Sequence, residues 1–209
     1  MRTVLCYGDS NAWGYEPATG DRFPEDVRWP GVLATELGTG FRVIEEALNG
    51  RTTVRDDPVE EHKNGKYYLR PCLESHAPLD LVIVALGVND LKARFFASAS
   101  DAADGAGLLA SIAQRSGPGP DGGSPAVLLV APPLVAYLSE LAQMFAGAEE
   151  KSKGFSRQYR RVAQKHGCML LDASEVVRAS DRDGIHLEAA EHRKLGEAAA
   201  VLVKEILGA

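Results

Sequence analysis

The chain has few cysteines and no long hydrophobic run. Its three cysteines are Cys6, Cys72 and Cys168, an odd number whose spacing matches no zinc-binding pattern. We therefore expect free thiols, and neither a structural disulfide nor a cysteine nucleophile. The apolar run near the N-terminus is too short for a signal peptide, and no run reaches membrane-spanning length. These absences predict a cytoplasmic protein with no membrane partner.

Positive charge is also scarce. The 209 residues contain 23 Lys and Arg against 29 Asp and Glu, which leaves a formal net charge of −6. This balance argues against nucleic acid as the main partner. The chain also lacks Gly-x-Gly-x-x-Gly and the phosphate-loop pattern. Its hydrophobic content of 45% suffices for a sizeable core, and the length predicts a single domain over residues 1–209.

Apolar runs typical of buried parallel strands alternate with helical patterns along the whole chain. Strands are predicted at residues 3–7, 41–45, 79–86, 126–130 and 168–171. Helices are predicted at 29–37, 67–76, 108–114, 138–145, 155–166 and 188–207. The alternation predicts an α/β fold, a three-layer α/β/α sandwich around a five-stranded parallel sheet. Such sheets bind ligands at the carboxyl ends of their strands.

Glycine and polar residues follow three of the predicted strands. The first strand ends in Gly8-Asp9-Ser10, a sharp turn that would expose the Ser10 hydroxyl. The second strand is followed by Gly50, and the third by Gly87-Val88-Asn89-Asp90. The backbone N–H groups of Ser10 and Gly50 and the side-chain amide of Asn89 are candidate donors to the oxyanion formed in acyl transfer. Taken alone, Gly8-Asp9-Ser10 is also well explained as a structural turn, because Gly, Asp and Ser are common turn residues.

A candidate base for serine attack lies near the end of the chain. Asp183 and His186 are three residues apart, in a loop that contains Gly184. This spacing lets the carboxylate hold one imidazole nitrogen while the other is free to take a proton. Of the five histidines, only His186 combines this spacing with a loop. His192 is expected on the solvated face of the last helix.

Two further segments leave alternatives open. The irregular segment 11–29 carries Trp13 and Tyr15, whose rings either line a substrate pocket or cover the edge of the core. Residues 56–65 combine several carboxylates with His62, but the spacing fits no metal-ligand pattern. A solvated loop is the expected interpretation there. We expect neither a metal nor an organic cofactor.

Together, these motifs resemble the SGNH (GDSL-like) hydrolase superfamily in order and spacing, from residue 8 to residue 186. Five stretches are similar to its bacterial arylesterase/acyltransferase and carbohydrate acetylesterase branch: residues 8–15, 26–29, 43–46, 51–53 and 56–58. Residues 134–154 depart from the pattern of that branch. The resemblance implies a flavodoxin-like sandwich with a serine-based ester hydrolysis site.

The resemblance also implies roles for individual residues. It implies that Ser10 is the nucleophile, His186 the base and Asp183 its partner. It implies an oxyanion hole formed by Ser10, Gly50 and Asn89. It further implies that the substrates are short acyl esters, mainly acetyl esters, with possible transfer to alcohols or peroxide. A homo-oligomer is expected.

Substrate contacts are expected at Asp9, Asn11 and Trp13, beside the nucleophile. One alternative is a carbohydrate O-acetylesterase, whose chemistry is identical and whose leaving group is a sugar hydroxyl. A second alternative is a flavodoxin-like nucleotide-binding module. That module would leave Asp183 and His186 unexplained, and the phosphate-binding motifs are missing.

Overall fold

The computed structural model describes residues 1–117 and 119–209. One sheet contains five strands: β1 (Arg2–Gly8), β2 (Phe41–Ala47), β3 (Leu81–Ala85), β4 (Ala126–Ala131) and β5 (Met169–Asp172). All neighbours pair in parallel, in the order β2-β1-β3-β4-β5. The predicted five-stranded parallel sheet is thus confirmed, with strand ends that move by no more than two residues.

Helices cover both faces of the sheet. They are α1 (Ser10–Trp13), α2 (Trp29–Leu37), α3 (Gly65–His76), α4 (Ala99–Arg115), α5 (Ala148–Ser152), α6 (Phe155–His166) and α7 (Ala189–Leu207). Val4 and Cys6 of β1 pack toward α2 and α7, whereas Leu5 and Tyr7 pack toward α3, α4 and α6. This alternation along one strand builds two cores and the predicted three layers. Among the residues described, no helix combines the length and hydropathy needed to cross a membrane.

The sequence places residues 108–114 in a helix whose start it does not define, and in the structure this helix, α4, begins at Ala99. Its N-terminus is a capping box, in which the Ser98 hydroxyl accepts from the Asp101 backbone N–H and the Asp101 carboxylate accepts from the Ser98 N–H. Small residues form its buried face, among them Ala102, Ala103 and Ala106. Because these alanines alternate with Asp and Gly, the sequence lacks the large apolar stripe that marked the later part of this helix.

The prediction of a helix at residues 138–145 is wrong. Consecutive turns run over residues 140–147, and the next helix, α5, begins only at Ala148. Leu138 and Phe145 are buried, so their spacing reflects core packing and not a helical face. The Leu138 backbone N–H donates to the Glu149 carboxylate at 3.2 Å, a side-chain partner in place of a helical carbonyl.

The strand ends bring the predicted motifs to one edge of the sheet. Gly8, the last residue of β1, is in register with Ala47 of β2 and Ala85 of β3. The segments that follow these three strands therefore leave the sheet side by side. Two residues after β3, Gly87 has φ +138°, and a Cβ there would lie 2.0 Å from the Tyr159 hydroxyl oxygen. The turn that leads to Asn89 thus requires glycine.

Candidate active site

Ser10 sits where β1 ends and α1 begins. The Asp9 carboxylate caps this short helix by accepting from the Asn11 backbone N–H at 3.0 Å. A Cβ on Gly8 would lie 2.4 Å from the Cβ of Ala12, so a side chain there would collide with the turn. The tight connection places Ser10 at the carboxyl end of β1, an interior strand of the sheet, with 4% of its surface exposed.

The Ser10 hydroxyl meets His186 and Asp183 in one chain of hydrogen bonds. His186 Nε2 lies 2.9 Å from Ser10 Oγ, and His186 Nδ1 lies 2.6 Å from Asp183 Oδ2. The other oxygen of Asp183 accepts from the backbone N–H groups of Ile185 and His186, both at 2.9 Å. Gly184 has φ +78°, and a Cβ there would approach the Tyr137 carbonyl oxygen to 2.7 Å. The loop that orients the carboxylate therefore depends on glycine.

The electrostatics keep Asp183 ionised. Burial alone would raise the pKa of Asp183, but the hydrogen bond and charge of His186, with two backbone N–H groups, lower it below its usual value. An ionised carboxylate holds the imidazole proton on Nδ1, which leaves the Nε2 lone pair facing Ser10. This is the protonation state that serine attack requires.

The three predicted oxyanion donors share one pocket with Ser10 and His186. This Ser10 pocket has a volume of about 230 Å³ and is lined by Gly50 and Asn89, among others. Within residues 1–117 and 119–209, the backbone N–H groups of Ser10 and Gly50 donate no hydrogen bond. Asn89 Nδ2 donates to Asp9 Oδ2 at 3.4 Å, which orients the amide. Unpaired N–H groups that line a pocket beside a hydroxyl fit the stabilisation of an oxyanion.

The structure gives two of the predicted substrate-contact residues partners within the protein. The Asp9 carboxylate accepts hydrogen bonds from the Asn11 backbone N–H and from Asn89 Nδ2. The Asn11 amide donates to the Ile185 carbonyl at 3.2 Å and accepts from the Leu187 N–H at 3.1 Å. Asn11 thereby ties the loop of His186 to α1. Substrate contact by Asp9 and Asn11 stays a prediction that this geometry does not favour.

The aromatic segment contributes Tyr15 to the site. The Tyr15 ring packs on His186 with centroids 4.1 Å apart, and Tyr15 lines the Ser10 pocket. Trp13 instead stacks with the Arg22 guanidinium, which lies 5.1 Å from its ring centroid. Of the two rings, Tyr15 therefore supports the pocket interpretation, and substrate contact by Trp13 stays a prediction.

The interpretation of residues 56–65 as a solvated loop is wrong for Asp57 and Glu60. Lys92 Nζ lies 2.8 Å from Glu60 and 3.3 Å from Asp57, and Arg94 contacts both carboxylates at 2.6 Å. The side chains of Lys92 and Asp57 are 2% and 0% exposed. We call these four residues the charge cluster. The charge cluster is not apparent from the sequence, because the cations of the cluster lie more than 30 positions from the anions.

The charge cluster borders the oxyanion donors. Lys92 and Glu60 line the Ser10 pocket. A Cβ on Gly50 would lie 2.8 Å from Glu60 Oε2 and 3.5 Å from Lys92 Nζ. Sequence reasoning missed these two pocket residues. The available signal was a lysine two residues after the Gly87-Val88-Asn89-Asp90 motif, near the carboxyl edge of a buried strand.

His192 is buried, contrary to its expected place on a solvated helix face. It is 0% exposed, its Nδ1 accepts from the Trp29 backbone N–H at 3.3 Å, and Phe23 meets its ring edge-on. Burial lowers the pKa of His192 to about 4, with smaller contributions from His186 and Arg28. The face of α7 that packs on α2 includes this histidine, which the apolar stripe alone did not reveal.

One group of potential metal ligands occurs among the described residues. Glu46, Cys72 and His76 place ligand atoms within 4.8 Å of one another, and His76 Nε2 lies 2.8 Å from Glu46. Burial raises the pKa of the Cys72 thiol to about 12, which disfavours the thiolate that metals bind. None of the three lines the Ser10 pocket.

The chain is similar to one protein family and to several solved structures. Residues 6–194 match the model of the GDSL-like lipase/acylhydrolase family. The native aryl esterase of M. smegmatis is 41% identical, with a TM-score of 0.95 over 99% of this chain and 100% of that chain. A carbohydrate acetylesterase from Sinorhizobium meliloti is 39% identical, with a TM-score of 0.94 over the same shares. No curated protein sequence matches the chain significantly.

A more distant structure shares the fold alone. A member of the lipolytic G-D-S-L family from Veillonella parvula is 13% identical, with a TM-score of 0.67 over 97% of this chain and 98% of that chain. A chain with little sequence identity to this one therefore has a similar fold.

Proposed function

The chain belongs to the GDSL-like lipase/acylhydrolase family, and we propose that it hydrolyses short-chain acyl esters, mainly acetyl esters, through an acyl-enzyme at Ser10. That it is a carboxylic ester hydrolase follows from the family and from esterase relatives that match almost its whole length. The observation that carries the proposal is the hydrogen-bonded chain from Ser10 through His186 to Asp183, at a pocket with unpaired N–H donors.

The proposed reaction has two steps. Ser10 Oγ attacks the ester carbonyl carbon while His186 Nε2 takes the hydroxyl proton, and Asp183 stabilises the imidazolium. The N–H groups of Ser10 and Gly50 and the Asn89 amide hold the tetrahedral oxyanion. The C–O bond to the alcohol then breaks, and the alcohol leaves with the proton from His186. Water, deprotonated by His186, attacks the acyl-enzyme and releases the acid and Ser10.

The walls of the Ser10 pocket support a small acyl group. Leu141, Met144, Phe145 and Ile185 line it beside the nucleophile, within about 230 Å³. Apolar walls favour a hydrocarbon acyl chain, and the small volume disfavours a long one. If an alcohol or hydrogen peroxide replaces water in the second step, the product is a new ester or a peracid. We include this transfer activity in the proposal.

A carbohydrate O-acetylesterase is the alternative function. One relative, 39% identical and covered over its whole length, is a carbohydrate acetylesterase. The two activities differ only in the alcohol that leaves, so the hydrogen-bonded chain serves both equally. The alcohol side of the site must therefore discriminate between them.

A cytoplasmic location and a homo-oligomer stay predictions of the sequence. Sedimentation velocity at micromolar concentration tests the second, since a chain of 22.4 kDa sediments distinctly from its dimer or a larger assembly. A single monomeric species would contradict it. Fractionation of the producing cells tests the location.

The first experiment measures hydrolysis of 4-nitrophenyl esters from acetate to octanoate. We expect the highest kcat/KM with acetate and a loss of about 10³-fold or more in Ser10→Ala, because the nucleophile is removed. Ser111→Ala, in helix α4, is the matched control and should retain full activity. A preference for octanoate would refute the short-acyl assignment. Full activity in Ser10→Ala would refute the nucleophile.

A further inference from the structure

Met144 places a thioether in the wall of the Ser10 pocket. It lines this pocket together with Ser10 and His186, and 39% of its surface is exposed. The three cysteines all lie within the described residues, and none of them lines the pocket. Met144 therefore supplies the one sulfur atom that the described residues bring to the nucleophile. A thioether is a group that oxidants readily convert to a sulfoxide.

The backbone around Met144 is held against the segment that follows β3. The Met144 carbonyl accepts from the Ala93 N–H at 2.7 Å. In the same set of turns, the Phe145 N–H donates to the Leu141 carbonyl at 2.9 Å. These contacts fix the backbone of the wall, so the thioether stays at a pocket of only about 230 Å³ that also holds the Ser10 hydroxyl.

The proposed transfer to hydrogen peroxide produces an oxidant in this pocket. One peroxide oxygen attacks the carbonyl carbon of the acetyl-enzyme while His186 takes its proton. The bond between that carbon and Ser10 Oγ then breaks, and Ser10 recovers the proton from His186. The product is peracetic acid, which is formed in the pocket that Met144 lines.

We propose that Met144 is an oxidation site for the peracid formed at Ser10, and that its sulfoxide lowers the activity of the same pocket. The inference rests on the peroxide transfer included in the proposed function. The Met144 sulfur attacks the outer peroxide oxygen, the O–O bond breaks, and the proton passes to the carboxylate to give acetic acid. Sulfur loses two electrons, which the peracid gains, and one oxygen atom moves to sulfur.

The sulfoxide changes the acyl wall of the pocket. A thioether is apolar and accepts hydrogen bonds weakly, whereas a sulfoxide carries a polar oxygen. The apolar side chains that line the same pocket, Leu141, Phe145 and Ile185, offer this oxygen no donor. The oxidised wall is therefore less favourable to a hydrocarbon acyl group, and activity falls as peracid turnovers accumulate.

Met169 provides an internal control for the test. It is also 39% exposed, but it lies on β5 and does not line the Ser10 pocket. The protein is incubated with ethyl acetate and hydrogen peroxide, and excess free methionine consumes the peracid that has left the pocket. Peptide mapping by mass spectrometry then measures the sulfoxide at each position. We expect Met144 to be oxidised about tenfold faster than Met169 or more, because the peracid forms beside it.

Two control reactions show whether the oxidant comes from Ser10. Without ester, or in Ser10→Ala, hydrogen peroxide is the only oxidant present. We expect Met144 and Met169 then to be oxidised at similar, slower rates, because their exposure is the same. Selective oxidation of Met144 under these conditions would show that peroxide attacks it directly and would overturn the proposal.

Variants test the loss of activity, with each protein compared with its own initial rate. After turnovers that remove about half of the activity of the unaltered protein, we expect Met144→Leu to keep its initial rate, because leucine has no sulfur to oxidise. Met169→Leu should lose activity as the unaltered protein does. Methionine sulfoxide reductases, one for each sulfoxide epimer, should restore the unaltered protein.

The outcomes separate the inference from the function on which it rests. If peracid forms through Ser10 but Met144 and Met169 are oxidised equally, the oxidation site is wrong and the transfer activity stands. If Met144 is oxidised selectively and the rate is unchanged, the sulfoxide has no effect on the pocket and that half of the proposal is wrong. If no peracid forms, the transfer activity and the inference both fail, whereas cleavage of 4-nitrophenyl acetate still reports on the esterase.

Discussion

Asp9 links the nucleophile turn to the oxyanion site through a single carboxylate. One oxygen accepts from the Asn11 N–H and the other from Asn89 Nδ2. Burial raises the pKa of Asp9 to about 6, although the Asn11 hydrogen bond and the charges of His186 and Arg51 lower it. Two side-chain oxygens are needed to accept from both Asn11 and Asn89, and a carboxylate supplies two whereas an amide supplies one.

We predict that Asp9→Asn lowers kcat about 10- to 100-fold with KM changed less than threefold. The single amide oxygen of the variant satisfies Asn11 or Asn89 but not both, so the Asn89 donor loses its orientation in the transition state. Steady-state kinetics with 4-nitrophenyl acetate measures the two constants. The exposed Asp26→Asn is the control. An unchanged kcat would show that Asn89 is oriented without Asp9.

Single residues differed in how far the sequence could identify them. Ser10, Asp183 and His186 could be named because a local motif carries each of them. The charge cluster and the burial of His192 could not, because each depends on partners far away in the chain. Contacts between residues far apart in the chain produce no recognisable sequence spacing. A carboxylate three residues from a histidine in one loop does produce such a spacing.

At the scale of elements, the loop 49–64 and the segment 88–94 are joined by buried hydrogen bonds and ion pairs. Thr53 donates to Asp90 through both its backbone N–H, at 2.9 Å, and its hydroxyl, at 2.5 Å. The charge cluster joins the same two segments through Lys92 and Asp57. Gly50 lies in the first segment and Asn89 in the second, so these contacts fix the spacing between two oxyanion donors.

We predict that Lys92→Met destabilises the protein by about 3 kcal/mol, because it leaves buried Asp57 with one cation instead of two. The control is Lys153→Met, which breaks an exposed pair with Glu150 and should cost less than about 1 kcal/mol. Urea unfolding followed by circular dichroism gives both values. A cost for Lys92→Met no larger than that for Lys153→Met would mean that the charge cluster does not hold the segments together.

Elements with a continuous apolar signal were predictable, and those without one were not. Strands β3 and β4 read as unbroken apolar runs because both of their faces are covered by helices. Helix α4 was found only in part, since its buried face is largely alanine. At 138–145 the spacing of buried residues imitated a helix where the backbone forms turns. The spacing of apolar residues indicates which residues are buried, and it indicates secondary structure only indirectly.

At the scale of the whole molecule, the sheet brings distant segments to one site. Ser10 and His186 are separated by 176 positions, yet hydrogen-bond across the carboxyl edge of the sheet. The strand order places β1 between β2 and β3, so loops after all three strands surround the nucleophile. Alternating strands and helices predicted this convergence, because carboxyl ends of parallel strands must share an edge.

The pH dependence of global stability reflects buried groups that oppose one another. The pKa values of Asp9 and Asp90 are raised by burial from 3.8 to about 6, so between these values the folded state holds protons that the unfolded state has lost. Stability therefore falls as pH rises through that window. Burial lowers the pKa of His192 from 6.5 to about 4, so here the unfolded state holds the extra proton and stability rises with pH.

We predict that Asp9 and Asp90 make the free energy of unfolding fall between about pH 4.5 and pH 6, and that His192 offsets part of this fall. Carboxyls with a lowered pKa, such as Asp183, oppose it mainly below about pH 5. Replacing the histidine should steepen this decline by up to about 1.4 kcal/mol per pH unit. His192→Asn is the suitable variant, because its side-chain oxygen can still accept from the Trp29 N–H. Urea unfolding at half-unit pH steps measures each slope, and any constant cost of the substitution cancels within a curve. The exposed His62→Asn should give the slope of the unaltered protein. Parallel curves for His192→Asn and the unaltered protein would mean that His192 has the same pKa folded and unfolded.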